Sequence, residues 1–256
     1  MKTLFILLLL AFYPLTFAIA QQDTSQEQNL LRNARELKES YNEPQALDTY
    51  LKVLRIDSTN YEALWNASFL YSRIGNRFKD KNKQKEYFHK AKDLAERALK
   101  VNSRDTESNF VMSVAMGRMA LISGPKARVA ASNDIKHYAE QALKYDSLHA
   151  GAWHVLGRWN YEVANLNFAE RMAANLLFGG LPKGASDKNA IEDYKKAITY
   201  DGSNILYYRD LAIVYRKEDQ DQKAIETLNK LLSLSPKSPD DPKYIKEAKK
   251  MLKKLQ

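Results

Sequence analysis

The sequence predicts an all-α fold: an array of helical hairpins closed by a C-terminal capping helix. Three observations predict it. Nine glycines and seven prolines among 256 residues leave room for long uninterrupted helices, because these two residues are the ones that break them. One spacing of small and apolar residues, followed by a helix stop, recurs five times. No cysteine is present, so neither disulfides nor a cysteine-borne lipid can hold the chain, and its stability must come from packing. A chain of this length has ample core to bury as one domain or as a repeat array.

The recurring unit is a small residue, an apolar one four later, another three after that, and then a stop. "ALDTYLKVLRIDS" places Ala46, Tyr50 and Val53 before Ser58. "AKDLAERALKVNS" places Ala91, Ala95 and Ala98 before Ser103. "IKHYAEQALKYDS" gives Ile135, Ala139 and Ala142 before Ser147. "AIEDYKKAITYDG" gives Ala190, Tyr194 and Ala197 before Gly202. "AIETLNKLLSLSP" gives Ala224, Leu228 and Leu231 before Pro236. Each has the form of the second helix of a tetratricopeptide repeat with its turn.

First helices precede them. "LRNARELK" opens the array weakly with Leu30, Ala34 and Leu37. "LWNASFLY" gives Leu64, Ala67, Ser68 and Tyr71, and "NFVMSVAM" gives Met112, Ser113 and Met116. "AWHVLGRWNYEVANL" supplies Trp153, Leu156 and Gly157, with Tyr161 one position late. "YRDLAIVY" supplies Tyr208, Leu211, Ala212 and Tyr215. Gly157 reads as the point where a partner helix approaches closely. The repeats therefore run over about 27–58, 61–103, 106–147, 150–202 and 205–236, inside one domain, 21–256, expected to coil into a right-handed superhelix.

The anchors Ala46, Ala91, Ile135, Ala190 and Ala224 are spaced by 45, 44, 55 and 34 residues. Only the last is the standard period. The excesses lie close to whole helical turns at ~3.6 residues each, so lengthened helices are expected rather than loose insertions. "SGP" at Ser123 to Pro125 is the turn of the third hairpin, "GGLPKG" at Gly179 to Gly184 a loop in the fourth, and "SPKSPDDP" at Ser235 to Pro242 the end of the fifth. In "PKYIKEAKKMLKKLQ" one face carries Ile245, Ala248, Met251, Leu252 and Leu255 and the other carries lysines. This stretch, 242–256, is the cap that a repeat array needs. A lysine-rich amphipathic helix is also suited to an anionic membrane surface.

The N-terminus reads "MKTLFILLLLAFYPLTFAIAQQDTS". Lys2 is the positive region, Leu4 to Tyr13 the apolar run, and Ala18-Ile19-Ala20 a small-x-small site. This is the pattern of a secretory signal peptide, 1–20, cleaved after Ala20. The alternative is an N-terminal membrane anchor, against which Pro14 and the short span argue. The expected location is the periplasm or cell envelope. The net charge of +9 permits anionic partners; export and the scattering of the lysines speak against nucleic acid.

Catalytic and metal templates do not fit. The four histidines, His89, His137, His149 and His154, include no pair at i, i+4. There is no nucleophile elbow or Walker loop, and "FGGLPKG" has the wrong spacing for phosphate. No carboxylate lies at a sequence spacing that would orient His154 as a base. The expectation is a protein without catalysis, cofactor or metal. What remains is the concave groove that first helices line. Projecting the repeat positions places Trp65, Phe69 and Arg73 there, then Phe110, Val114 and Arg118, then His154 and Arg158, and finally Arg209, Ile213 and Arg216. This mixture of apolar and arginine side chains suits a protein or peptide partner. It also suits a phospholipid, with Trp65, Phe69, Phe110 and Val114 on acyl chains and Arg73, Arg118 and Arg158 on phosphate.

From about Asp105 to Ala224 the sequence resembles the regulator of microtubule dynamics family, a divergent tetratricopeptide group with bacterial and eukaryotic members. The resemblance rests on "DTESNFVMSVAMGRMAL", on "WHVLGRWNYEVANLNFAERMAANLLFGGLPKGAS" and on "NAIEDYKKAITYD". It implies a non-enzymatic protein and an extra helix, Asn167 to Phe178, that accounts for the longest repeat. Eukaryotic members are associated with microtubules, membrane contact and phospholipid binding. This chain departs from them in its bacterial-type leader, and an exported protein meets no tubulin. The expected function is a helical-repeat scaffold of the cell envelope that binds a protein or peptide in its groove, with phospholipid binding as the alternative. A lipid site would require a continuous apolar cavity under the extra helix.

Overall fold

Most helices begin at a residue chosen to cap them. Asn60 Oδ1 accepts from the Ala63 amide at 2.9 Å, Asp105 from Glu107 at 2.9 Å and Ser186 Oγ from Asn189 at 3.1 Å, each satisfying a donor that the first turn leaves unpaired. Pro125 and Pro242 sit in first turns, where no amide is needed. The computed structural model describes residues 13–178 and 184–256, with side chains for 25–177 and 184–256. Residues 1–12 of the expected leader, 1–20, and residues 179–183 of the expected loop "GGLPKG" lie outside the described residues, while 13–20 fall in the first helix.

Among the described residues twelve helices follow in order: α1 (Tyr13–Glu39), α2 (Glu43–Ile56), α3 (Tyr61–Gly75), α4 (Lys81–Val101), α5 (Thr106–Ile122), α6 (Pro125–Tyr145), α7 (Ala150–Ala164), α8 (Phe168–Phe178), α9 (Asp187–Tyr200), α10 (Ile205–Lys217), α11 (Asp221–Leu232) and α12 (Asp241–Leu255). They pair as α1/α2, α3/α4, α5/α6, α7/α9 and α10/α11, with α8 inserted in the fourth hairpin and packed on α6. The expected all-α helical-repeat superhelix is the observed fold. Its seams are built by the recurring anchors: Ala46, Val53, Ala91, Ala98, Ala139, Ala142, Ala190, Ala224 and Leu231 have no exposed surface.

The long repeats are lengthened mainly at the starts of their second helices. Ala91 and Ile135 each stand ten residues after the starts of α4 and α6, whereas Ala224 stands three after the start of α11. The extension is thus two turns per helix, not three; the remainder lies in α3, α5 and the connecting loop. Two turns keep the apolar face in phase.

At the C-terminus, α12 buries Tyr244 and Ala248 against Leu228, Leu231 and Tyr208, with Ile245, Met251, Leu252 and Leu255 around them. Its apolar face is therefore committed to the core, and only its lysine side remains open to solvent.

Candidate functional site

The first helices α3, α5 and α7 stand side by side and line, with α6, the first turn of α10 and the segment leading into α12, a partly open cavity of about 300 Å³. The inner face of α5 carries Phe110, Val114, Gly117, Arg118 and Leu121, positions that share one side of a helix. A β-carbon built on Gly117 would meet nothing within 4 Å, so this glycine opens onto empty space. Opposite, α7 presents Val155, Arg158, Trp159 and Val163. The Trp159 indole donates to the Ser132 carbonyl at 2.8 Å, which satisfies its one polar atom and leaves an apolar ring at the wall. Beyond Trp159 the walls are Val129 and Leu166, which pack on Ala174 of α8. The apolar end of the cavity therefore lies under α8.

The other end is charged. Asp240, just before α12, accepts from Arg77 Nε and Nη2, both at 2.8 Å. Arg73 lies 3.1 Å from Glu43 and 3.4 Å from Asp240, and Arg77 also pairs with Glu43. Two cations and two anions thus tie the first two hairpins to the C-terminal segment. Glu43 is 2% exposed, so the four groups must remain together to avoid a stranded buried charge.

Arg118 is left over. Its one hydrogen bond among the described residues is to Asn76 Oδ1 at 3.1 Å, and no carboxylate among them forms an ion pair with it. The exposure it retains is to the cavity. Burial, reinforced by the nearby charge of Arg158, lowers the guanidinium from the usual arginine range to about 10. It remains a cation. Arg158 has only a partner one turn on, Glu162 at 3.6 Å.

Of the residues projected into the groove, the cavity brings together Phe69, Arg73, Phe110, Val114, Arg118, His154 and Arg158. Four lie elsewhere. Trp65 is half-buried among core side chains with the Lys38 ammonium 4.6 Å above its ring. Arg209 pairs with Asp210 and, at 3.0 Å, with Glu247, and it lies over the Tyr244 ring. Ile213 is half-buried and Arg216 exposed, neither on the wall. The acyl role for Trp65 and the groove roles of Arg209, Ile213 and Arg216 are corrected accordingly: the cavity meets α10 only at its first turn, Ile205 to Tyr207.

His154 also requires a correction. No nearby carboxylate was legible in sequence, yet Asp210 Oδ2 lies 2.9 Å from His154 Nε2. The ring stacks on Tyr207, with centroids 4.8 Å apart. Burial pushes the Asp210 carboxyl up, but the His154 bond and the charges of His154, Arg209 and Arg158 outweigh it and hold it at about 2. His154 is thus tied to a carboxylate from another repeat, and its ring is held between α7 and α10. Among the described residues, no group of three or more His, Asp or Glu side chains is placed to hold a metal ion.

Sequence reasoning missed Gly117, Leu121, Val129, Trp159, Leu166 and Asp240. The "GRMAL" and "GRW" stretches held a signal, a glycine followed by an arginine on an inward face. Nothing in the sequence pointed to Asp240.

A profile for the family described as Regulator of microtubule dynamics protein 1-3 matches residues 30–256. Regulator of microtubule dynamics protein 1 of Caenorhabditis elegans is 30% identical over 129 residues, which cover 50% of this chain and 57% of that protein. Regulator of microtubule dynamics protein 3 of Rattus norvegicus is 25% identical over 189 residues, 72% of this chain and 40% of that protein. The matched part thus spans little more than half of the first relative and less of the second. Among solved structures, a thermophilic tetratricopeptide-repeat protein of Thermus thermophilus superposes with a TM-score of 0.62 at 15% identity, covering 88% of this chain and 98% of that one. The pilF protein of Pseudomonas aeruginosa superposes with a TM-score of 0.55 at 11% identity, covering 91% and 90%. These two likenesses concern the fold.

Proposed function

The chain belongs to the regulator of microtubule dynamics family, and on that premise we propose that it is a helical-repeat binding protein for an anionic amphiphile. The charged head meets Arg118, with Arg158 and Arg73 beside it. The tail runs along Val114, Trp159 and Val163 towards Leu166 and Val129. The observation that carries this reading is Arg118: a largely desolvated cation that forms no ion pair among the described residues, on the wall of the cavity beside its apolar part. Taking such a charge out of water is costly. A phosphate or carboxylate that pairs bidentately with it offsets that cost, which a neutral ligand cannot do.

The sequence reading placed a protein or peptide partner first. A cavity of about 300 Å³ is small for an extended peptide, so a compact tailed anion is the better fit. A role in microtubule dynamics, which the relatives' names carry, is not part of this reading. The test is native mass spectrometry of the protein with tailed anions, such as lysophospholipids and fatty acids. Wild type should retain one such ligand. Gly117→Leu, which fills the hollow, and Arg118→Met, which removes the charge, should both lose it while staying folded. A wild-type protein that emerges without ligand would overturn the reading.

A further inference from the structure

The helix that roofs the cavity's apolar end has an outer face with no partner among the described residues. On α8, Phe168 is 80% exposed, Met172 55% and Leu176 79%. They stand at i, i+4 and i+8 and so form one stripe along the helix. The opposite face is held inward by Ala174, which packs on Val129 and Leu166, both walls of the cavity. A large apolar stripe open to water calls for an explanation.

Glu170, the one carboxylate of α8, is turned inward, paired with Arg128 at 2.6 Å and accepting from the Asn167 amide at 2.9 Å. Exposed cations stand on the two packed helices: Arg171 on α8 itself, and Lys126 in the first turn of α6. The chain as a whole carries +9. The stripe is also small. A helix of eleven residues is about 16 Å long and about 10 Å across, so one face offers roughly 160 Å², well short of the ~800 Å² per side that a stable protein interface takes. It is, however, of the shape and sign that lie in the headgroup boundary of an anionic bilayer. No described helix is long and apolar enough to cross a membrane, and the apolar face of the lysine-rich α12 is already committed to the core.

We propose that α8 is a membrane-docking helix, with Phe168, Met172 and Leu176 entering the boundary of an anionic bilayer and setting the apolar end of the cavity against the lipid. Docking does not depend on the cavity's ligand. It rests on the amphiphile reading only in giving the docked end a purpose: a tail can pass between bilayer and cavity across one helix.

The chain has no cysteine, so one introduced residue takes a label uniquely. Leu176→Cys carries an environment-sensitive fluorophore, and Lys249→Cys on α12 carries the same label as a control. Each full-length protein is mixed with vesicles of phosphatidylcholine alone or with phosphatidylglycerol. The label at 176 should shift to the blue on anionic vesicles and be quenched by lipid-borne rather than aqueous quencher. The label at 249 should remain in water. Adding Phe168→Ser and Met172→Ser should remove most of the shift at 176, while Arg118→Met should leave it unchanged. A label at 176 that stays aqueous on anionic vesicles overturns the proposal. So does one that becomes protected with rising protein concentration and no lipid, which would make the stripe a contact between copies. Loss of ligand in Arg118→Met with docking intact separates the two readings.

Discussion

Two glycines on neighbouring first helices have opposite surroundings. On α7, a β-carbon at Gly157 would lie 2.7 Å from the Tyr194 ring of α9. On α5, one at Gly117 would meet nothing. A glycine inside a helix costs about 1 kcal/mol relative to alanine. At Gly157 the close approach of α9 offsets that cost, and the seam between α7 and α9 is solid. At Gly117 no packing offsets it, and what the glycine leaves is space. The comparison separates a residue kept for the fold from one whose only evident consequence is the cavity.

The largest expected effect falls on the solid seam. Gly157→Leu drives a side chain into Tyr194 and should destabilise the protein by about 3 kcal/mol or more, as overpacking does when backbones must move. Gly117→Leu should leave the denaturation midpoint close to wild type. Urea denaturation followed by circular dichroism compares them, and equal losses would erase the distinction.

The seam also holds a buried acid. Asp193 accepts from Asn160 at 2.8 Å. Burial raises its carboxyl from 3.8 to about 6, against the opposing influence of Lys196 and Asn160. A carboxyl raised in the folded state favours folding when protonated, so the protein should lose stability as pH climbs from about 4 through 6. Asp193→Asn removes that loss. It should gain on the order of 2 kcal/mol over wild type at pH 8 and little at pH 4, measured as denaturation midpoints at the two values.

The cavity responds in the other direction. Arg118→Met replaces an unpaired cation with an apolar side chain and should stabilise the empty protein by about 1 kcal/mol, read as a rise in melting temperature. Gly117→Ala adds a β-carbon in open space and should gain about 0.5–1 kcal/mol by the same measurement. A site kept for function is one where such gains are available.

The same division governs what could be read from sequence. The seams were legible because each repeat buries the same positions: Ala46, Ala91, Ala190 and Ala224 recur and are all fully buried. The groove was legible where three first helices face one hollow, at Phe69, Val114, Arg118 and Arg158. It failed at the margins, where Trp65 and Arg209 found local partners. Asp240 reaches Arg77 across 163 positions and Asp210 meets His154 across 56; no local spacing encodes contacts made by closure of the whole superhelix. The outer face of α8 was hidden for a related reason. Its apolar residues are spaced like those of any core-facing helix, and only the fold determines which side is covered.

The most direct test of the central claim, that Arg118 selects an anionic head over an apolar tail, is a pair of affinities. Two amphiphiles with the same tail, one anionic and one neutral, are titrated into wild type and Arg118→Met below their micelle-forming concentrations, with Trp159 fluorescence as the signal. The account predicts that wild type binds the anionic compound at least about tenfold tighter, the equivalent of ~1.4 kcal/mol, and that Arg118→Met binds the two alike. Equal affinities in wild type, or a preference that survives the loss of Arg118, would contradict it.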